Sequence, residues 1–281
     1  MSSQADKGRA FRALHSGPKA FIIPNPWDVG TARLLAQLGF SALATTSAGY
    51  AFSLGVSDNA VARDTMMEHL ASIASATELT VSADLANGCG DSCKTVEETI
   101  RLAAAAGVVG GSIEDATQRP DAPLYELEHA VERIRAAAAA ARSLPFVFTL
   151  TARAENYLVG RPNLAETIER LQAYQGAGAD VLYAPGLTRK EDIAAVVKAL
   201  DRPVNAVMGF SRGAGLSMSV LSGIGVKRVS VGSALSRAAL GAFLRAVEEM
   251  RALGTFEFGD EAVSYQTLNA AFAQAPKPPN V

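Results

Sequence analysis

Cysteine is scarce in this chain: of 281 residues only Cys89 and Cys93 carry a thiol. So small a number excludes a disulfide-built scaffold, and two thiols with no histidine near them in sequence do not complete a zinc site. Aromatic residues make up 6% against 49% hydrophobic residues in all, so the core must be filled by Ala, Val, Leu and Ile. Neither charge sign dominates, with 26 Lys and Arg against 28 Asp and Glu and a pI near 6.0. A nucleic-acid or anionic-membrane partner therefore has no electrostatic footprint. There is no apolar run of the ~18 residues that a membrane span needs, and the opening residues, Met1 to Gly8, are polar rather than signal-like. A cytoplasmic protein is expected. No Pro/Gly/Ser-rich linker divides the chain, and its length is near the ~250 residues of a complete (β/α)8 barrel.

What is present is a repeated junction. Leu38-Gly39-Phe40, Ala106-Gly107-Val108, Ala177-Gly178-Ala179 and Ile224-Gly225-Val226 each close an Ala/Leu-rich stretch with glycine and enter a short apolar run. Glycine suits the left-handed residue that ends a helix, so each junction reads as a helix end followed by a strand. Eight apolar runs fit this reading, at residues 20–24, 42–46, 80–84, 109–114, 146–151, 181–183, 204–207 and 228–231. Helices fit between them, for example at 96–106, 124–142, 164–175 and 190–200. Alternating strands and helices in this number predict a closed (β/α)8 TIM barrel over residues 1–255. An open doubly wound sheet is the alternative, but no GxGxxG follows a strand where a dinucleotide fold needs it. Residues 256–281 form a C-terminal helical extension and tail outside the repeat, packed on the barrel floor or docked on a neighbouring subunit.

Catalytic groups of such a barrel come from the C-terminal ends of its strands. The third run ends at Asp84 and the fourth at Glu114, followed by Asp115; the fifth leads into Arg153 and Glu155. Asn25, Trp27 and Asp28 follow the first run, Ser47, Ala48 and Gly49 the second, with Asp58 beyond, and Asn205 lies in the seventh. Carboxylates crowded at one mouth repel each other unless a cation sits among them, and an oxygen-rich site suits Mg2+. Arg153 offers a fixed fork for an acid group of a substrate. Each residue also has a plainer reading. Asp115 and Asp180 fit as helix N-caps, Arg153 and Glu155 as a structural ion pair, and Trp27 as packing. His15, His69 and His129 lie in helical stretches and read as structural or surface residues. No lysine stands at a strand end, which argues against Schiff-base chemistry, and Cys89 is a weak nucleophile candidate without a base.

The stretch Asp84-Leu-Ala-Asn-Gly-Cys-Gly90, then Ser112-Ile-Glu-Asp115, then Thr151-Ala-Arg-Ala-Glu155, set within eight βα units, resembles the isocitrate lyase/phosphoenolpyruvate mutase superfamily, and more closely its short members. The resemblance runs from Phe21 to about Met250. It implies a Mg2+-dependent (or Mn2+-dependent) lyase or hydrolase that cleaves a C–C or P–C bond of a small 2-oxo acid or phosphonate through an enolate-like state. It implies Asp84 as direct metal ligand, with Asp58 and Glu114 acting through water. Ser47, Ala48 and Gly49 would receive the substrate oxygen, Arg153 its acid group, with Trp27 and Asn205 also at the substrate. A homodimer or homotetramer that exchanges a C-terminal helix is implied as well.

Two positions depart from the family pattern. The acid usually found two residues after the metal aspartate is replaced by Ala86, with Asn87 and Asp91 nearby as partial substitutes. The loop after Glu114 lacks both the Lys-Lys-Cys-Gly-His segment of isocitrate and methylisocitrate lyases and the Lys-Thr-Asn of phosphonomutases. Those lyase activities are disfavoured. Phosphonomutase activity, or a ligand-binding member that has lost turnover, are the alternatives. Gln118 and Arg119 sit where a lid would close.

Overall fold

The computed structural model describes residues 2–210 and 216–273. Its first half runs α1 (Gln4–His15), β1 (Phe21–Ile23), α2 (Val29–Gln37), β2 (Ala42–Ala44), α3 (Ser47–Ser53), α4 (Arg63–Ala76), β3 (Thr80–Asp84), α5 (Cys93–Ala105) and β4 (Gly110–Glu114). The second half runs α6 (Leu127–Arg142), β5 (Thr149–Arg153), α7 (Leu164–Gly176), β6 (Val181–Tyr183), α8 (Lys190–Lys198), β7 (Val204–Val207), α9 (Met218–Gly223), β8 (Arg228–Ser230), α10 (Ala234–Leu253) and α11 (Tyr265–Ala273).

All the strand pairs are parallel, and β1 lies beside β8 in the order β1-β8-β7-β6-β5-β4-β3-β2. The seam between β1 and β2 is bridged by Ala44 N donating to Pro24 O at 3.0 Å. The sheet is therefore rolled into the expected (β/α)8 barrel, and the open doubly wound alternative is excluded, because an open sheet would leave β1 and β8 apart. Helix α1 closes the N-terminal end of the barrel: Phe11 is fully buried, and Gly8 comes so near β5 that a Cβ there would lie 2.3 Å from Val147 O.

Small residues let the outer layer pack tightly. Ala103 and Ala104 of α5 and Ala137, Ala138, Ala140 and Ala141 of α6 all join the main core cluster, as the aromatic-poor composition requires. Some boundaries move. The fifth strand runs to Arg153, beyond the apolar run that marks it, because its polar end stays in register with Glu114 and Tyr183. The helix expected from Leu124 starts at Leu127, since Leu124 instead bridges back to Ala116. The helix expected from Val96 starts at Cys93, where the Ser92 side chain accepts from Thr95 N and caps it.

The C-terminal elements stand out. Of the 20 residues of α10 only Ser236 is buried, while Phe243 and Leu244 are more than 60% exposed. Helix α11 has no buried residue and touches the barrel at α2, where Gln37 Nε2 donates to Ala271 O. The floor-packing expectation is thus not met for this extension; residues 274–281 of the expected tail lie outside the described residues. Among the described residues no helix is long and apolar enough to cross a membrane.

Candidate active site

The C-terminal ends of the strands surround a cavity of about 820 Å3. Its centre is the Arg153 guanidinium at the end of β5. Nη1 donates to Asp84 Oδ1 at 3.0 Å, Nη2 lies 3.1 Å from Glu114 Oε2, and Nε donates to Glu155 Oε1 at 2.8 Å. The strand register produces this fork, because Glu114 and Arg153 are direct partners in the β4–β5 ladder and Asp84 ends the neighbouring strand. Arg153 is thus both an ion-pair partner of Glu155 and part of the cavity wall. Its guanidinium carbon lies 5.1 Å from the centre of the Tyr183 ring.

Ser47 completes the other side. It opens α3, which Thr46 caps, and it donates to Asp84 Oδ2 from its backbone N (3.0 Å) and its hydroxyl (2.9 Å). Asp58 follows α3, with Oδ1 3.5 Å from Ser47 Oγ. Burial, and then the charge of Asp84, push the Asp58 carboxyl above its ordinary range. Burial also raises Glu114 and Glu155, against the opposing charge of Arg153. Arg153 itself is held charged: burial works against it, but Glu155, Glu114 and Asp84 outweigh that cost. One cation thus serves three directly paired acids, with a fourth beside them.

Ala48 and Asn205 also line the cavity, whereas Trp27 and Gly49 do not. Gly49 N donates to Thr46 Oγ1, and a Cβ on Gly49 would lie 3.2 Å from the Cβ of Trp27. These two residues pack at the first turn of α3, beside Ser47. Asn205 is in the wall, but its side chain is engaged by Arg228 Nε at 2.8 Å and Ser230 Oγ at 3.0 Å.

A sequence profile of the phosphoenolpyruvate phosphomutase family matches residues 11–251. The chain belongs to that family. Among solved structures, a protein of Burkholderia cenocepacia J2315, provisionally described as a lyase/mutase, is 62% identical with a TM-score of 0.94, covering 98% of each chain. A phosphonopyruvate hydrolase solved with oxalate and Mg2+ is 26% identical with a TM-score of 0.82, covering 95% of each chain. The 2-methylisocitrate lyase of Escherichia coli K12 is 31% identical over 189 residues, 64% of this chain and 62% of that one.

The donors present fit a hard divalent cation of the family's kind. They are oxygens, several carboxyl groups stand around the single guanidinium of Arg153, and Mg2+ keeps most of its own waters. Among the described residues, Asp84, Asp58 and Glu114 do not converge as a three-ligand cluster within 4.8 Å. The cluster that does converge is Cys93, His129 and Glu132 on the outer surface. The sequence gives Cys93 no histidine neighbour; α6 brings one from 36 positions away, packing against α5.

The residues expected as partial substitutes beside Ala86 both take part in hydrogen bonds. Asn87 Nδ2 donates to Tyr125 Oη at 3.2 Å, and Asp91 accepts from that hydroxyl and from Arg119 Nη1 at 2.7 Å. Arg119 is accordingly tied to the loop after β3. Asp115 and Asp180 are not helix caps. Buried Asp115 accepts from Glu155 N, Tyr174 Oη and Arg170 Nη1, and so fixes the end of β5; Asp180 accepts from Leu150 N and Arg142.

Three residues inconspicuous in the sequence prove central. Arg133, 1% exposed within α6, donates to the carbonyls of Asn87, Gly90 and Asp91. Arg228 crosses the barrel beneath the cavity to Thr151 Oγ1 at 3.0 Å, and burial lowers its pKa to about 10. His69 stacks on Tyr50 with ring centres 3.7 Å apart. A charged residue at a buried face of a helix or strand was the available signal, but it has meaning only once the facing element is known.

Proposed function

We propose that this chain is a Mg2+-dependent lyase or hydrolase that cleaves a C–C or P–C bond of a small 2-oxo acid. The observation that carries this reading is the Arg153 fork, which gathers Asp84, Glu114 and Glu155 at the strand ends opposite Ser47. Asp84 would hold the cation, Asp58 and Glu114 would hold its waters, and Mn2+ suits the same oxygens. Bound there, the cation supplies positive charge for the oxygen of the substrate's 2-oxo group as that oxygen becomes negative. Ser47 presents a backbone N–H and a hydroxyl at the same place and orients the acid. Arg153 offers its charge to the substrate's acid group while pairing with Asp84, Glu114 and Glu155. The solved phosphonopyruvate hydrolase with oxalate and Mg2+ supports this choice of ligand class. The loop after Glu114 has neither lysine nor cysteine, so the likeness to 2-methylisocitrate lyase does not extend to that activity.

A second reading, a member that binds a small acid without turning it over, is favoured by Ala86 alone. Keto-acid release from oxaloacetate, phosphonopyruvate and 2-methylisocitrate in the presence of Mg2+ separates the two. Turnover of one of them, lost by at least a thousandfold in Asp84→Ala, is the expected result. Binding of oxalate without turnover of any would establish the second reading, and activity surviving in Asp84→Ala would overturn the metal assignment.

The same reading includes a second copy of the chain as partner. Leu240, Phe243, Leu244 and Leu253 of α10, with Phe256 and Tyr265 beyond it, expose large apolar side chains along one continuous segment. A patch of this kind marks an interaction surface. A barrel helix left without a barrel to cover fits a neighbouring barrel of the same kind.

A further inference from the structure

Beside the main cavity is a second one of about 350 Å3, and Thr45, Ser47 and Asp84 stand in the walls of both. Tyr50, Val61, Met66, Leu70 and Cys89 give it an apolar side, and Asn59, Arg63, Asn87 and Gln118 stand in its wall as well. Ala86 contributes only a methyl group there, held on a left-handed backbone with φ of 47°. Where the family pattern carries an acid, this chain therefore leaves space next to Asp84.

Several of the polar groups around that space are engaged elsewhere. Ser47 is bound to Asp84, the Asn87 amide to Tyr125, and Thr45 Oγ1 accepts from Asp84 N at 2.9 Å. His69, only 6% exposed, lines the cavity with its ring, while its Nε2 is itself buried and has no hydrogen-bond partner. A water needs two to four polar partners to be well held, so water against the apolar side is poorly ordered. Displacing such water with an apolar group gains affinity. Asp84 at the entrance repels an anionic group, and Arg63 in the wall is already paired with Glu98 at 3.4 Å.

We propose that this side cavity receives an uncharged, mainly apolar branch of the substrate, so that the chain acts on an alkyl-extended 2-oxo acid rather than on an unsubstituted one. This inference rests on the reading of the Asp84 site given above. It makes Ala86 a determinant of specificity: the missing acid is the opening through which the branch enters.

The test is calorimetric titration of the full chain with Mg2+, first with oxalate and then with pyruvate, 2-oxobutanoate, 2-oxopentanoate and 4-methyl-2-oxopentanoate. Affinity is expected to rise roughly fourfold with each added methylene, while 2-oxoglutarate, whose branch is charged, shows no such gain. Val61→Phe places a ring in the cavity from a half-buried position and is expected to abolish the dependence on chain length; Met66→Phe repeats the test from the opposite wall should the first variant fail to fold. Oxalate binding with a flat series, or a gain that persists in a folded filled variant, would overturn this inference alone. Absence of oxalate binding would instead overturn the reading of the Asp84 site together with it.

Discussion

His15 and His69 are held uncharged by the groups around them. Burial lowers His15 to about 3, with the charge of Arg228 adding to the effect, and lowers His69 to about 4. His15 lies edge-on between Phe11 and Phe21, and His69 lies flat against Tyr50. A histidine whose folded pKa is depressed binds its proton more readily when unfolded. Its neutral form is therefore no burden above the unfolded value of about 6.5, and stability is lost as pH falls below it. Each of the two is expected to cost about 1.4 kcal/mol per pH unit between roughly pH 6.5 and its own folded value. Urea unfolding across that range checks this, and His15→Gln is expected to flatten the slope by about half; an unchanged slope would show that His15 is protonated in the folded chain. These two residues also show the limit of reading along the chain. Asp84, Glu114 and Arg153 are legible because a polar residue closing an apolar run marks a barrel mouth. Nothing local distinguishes a helical His15 or His69 from a surface one, because the aromatic rings that enclose them include ones from other elements.

At the scale of elements, the loop after β3 carries neither helix nor strand before α5, and α6 holds it. Arg133 supplies donors to its carbonyls, with its guanidinium carbon 4.1 Å from the centre of the Tyr125 ring, and Tyr125 in turn donates to Asp91 Oδ1 at 2.5 Å. Arg133→Met keeps most of the volume but leaves buried carbonyls without partners, at about 1–3 kcal/mol for each. A loss of roughly 3 kcal/mol or more is expected in chemical denaturation; a loss under 1 kcal/mol would show that the loop holds itself. The α6 pattern was readable in part. Leu127, Val131, Ile134 and Ala138 mark an inward face, but Arg133, the neighbour of Ile134, is buried as well. Periodicity sorts residues by face and cannot say that a guanidinium will find backbone carbonyls 46 positions earlier.

For the whole molecule, the barrel and its order of strands were readable from eight runs and their glycine junctions, since that rhythm is local. The fate of α10 was not, because a helix that covers its own barrel and one that covers a neighbour's have the same amphipathic pattern. The proposed pairing predicts a dimer or larger assembly by sedimentation. Phe243→Glu with Leu244→Arg is expected to yield a monomer of unchanged circular dichroism, and a wild-type chain that sediments as a monomer would sink the pairing. Ring closure has a further consequence. Phe21 of β1 takes Arg228 of β8 as its register partner, so the first strand made by the ribosome finds its partner only after some two hundred more residues have been added. The opposite edge of β1 meets β2 through the Ala44–Pro24 hydrogen bond. During synthesis the nascent barrel is therefore an open scroll with its first strand waiting, and it becomes a ring only near the end of translation. In the finished molecule the β1–β2 seam is where backbone amides are expected to exchange first with deuterated solvent.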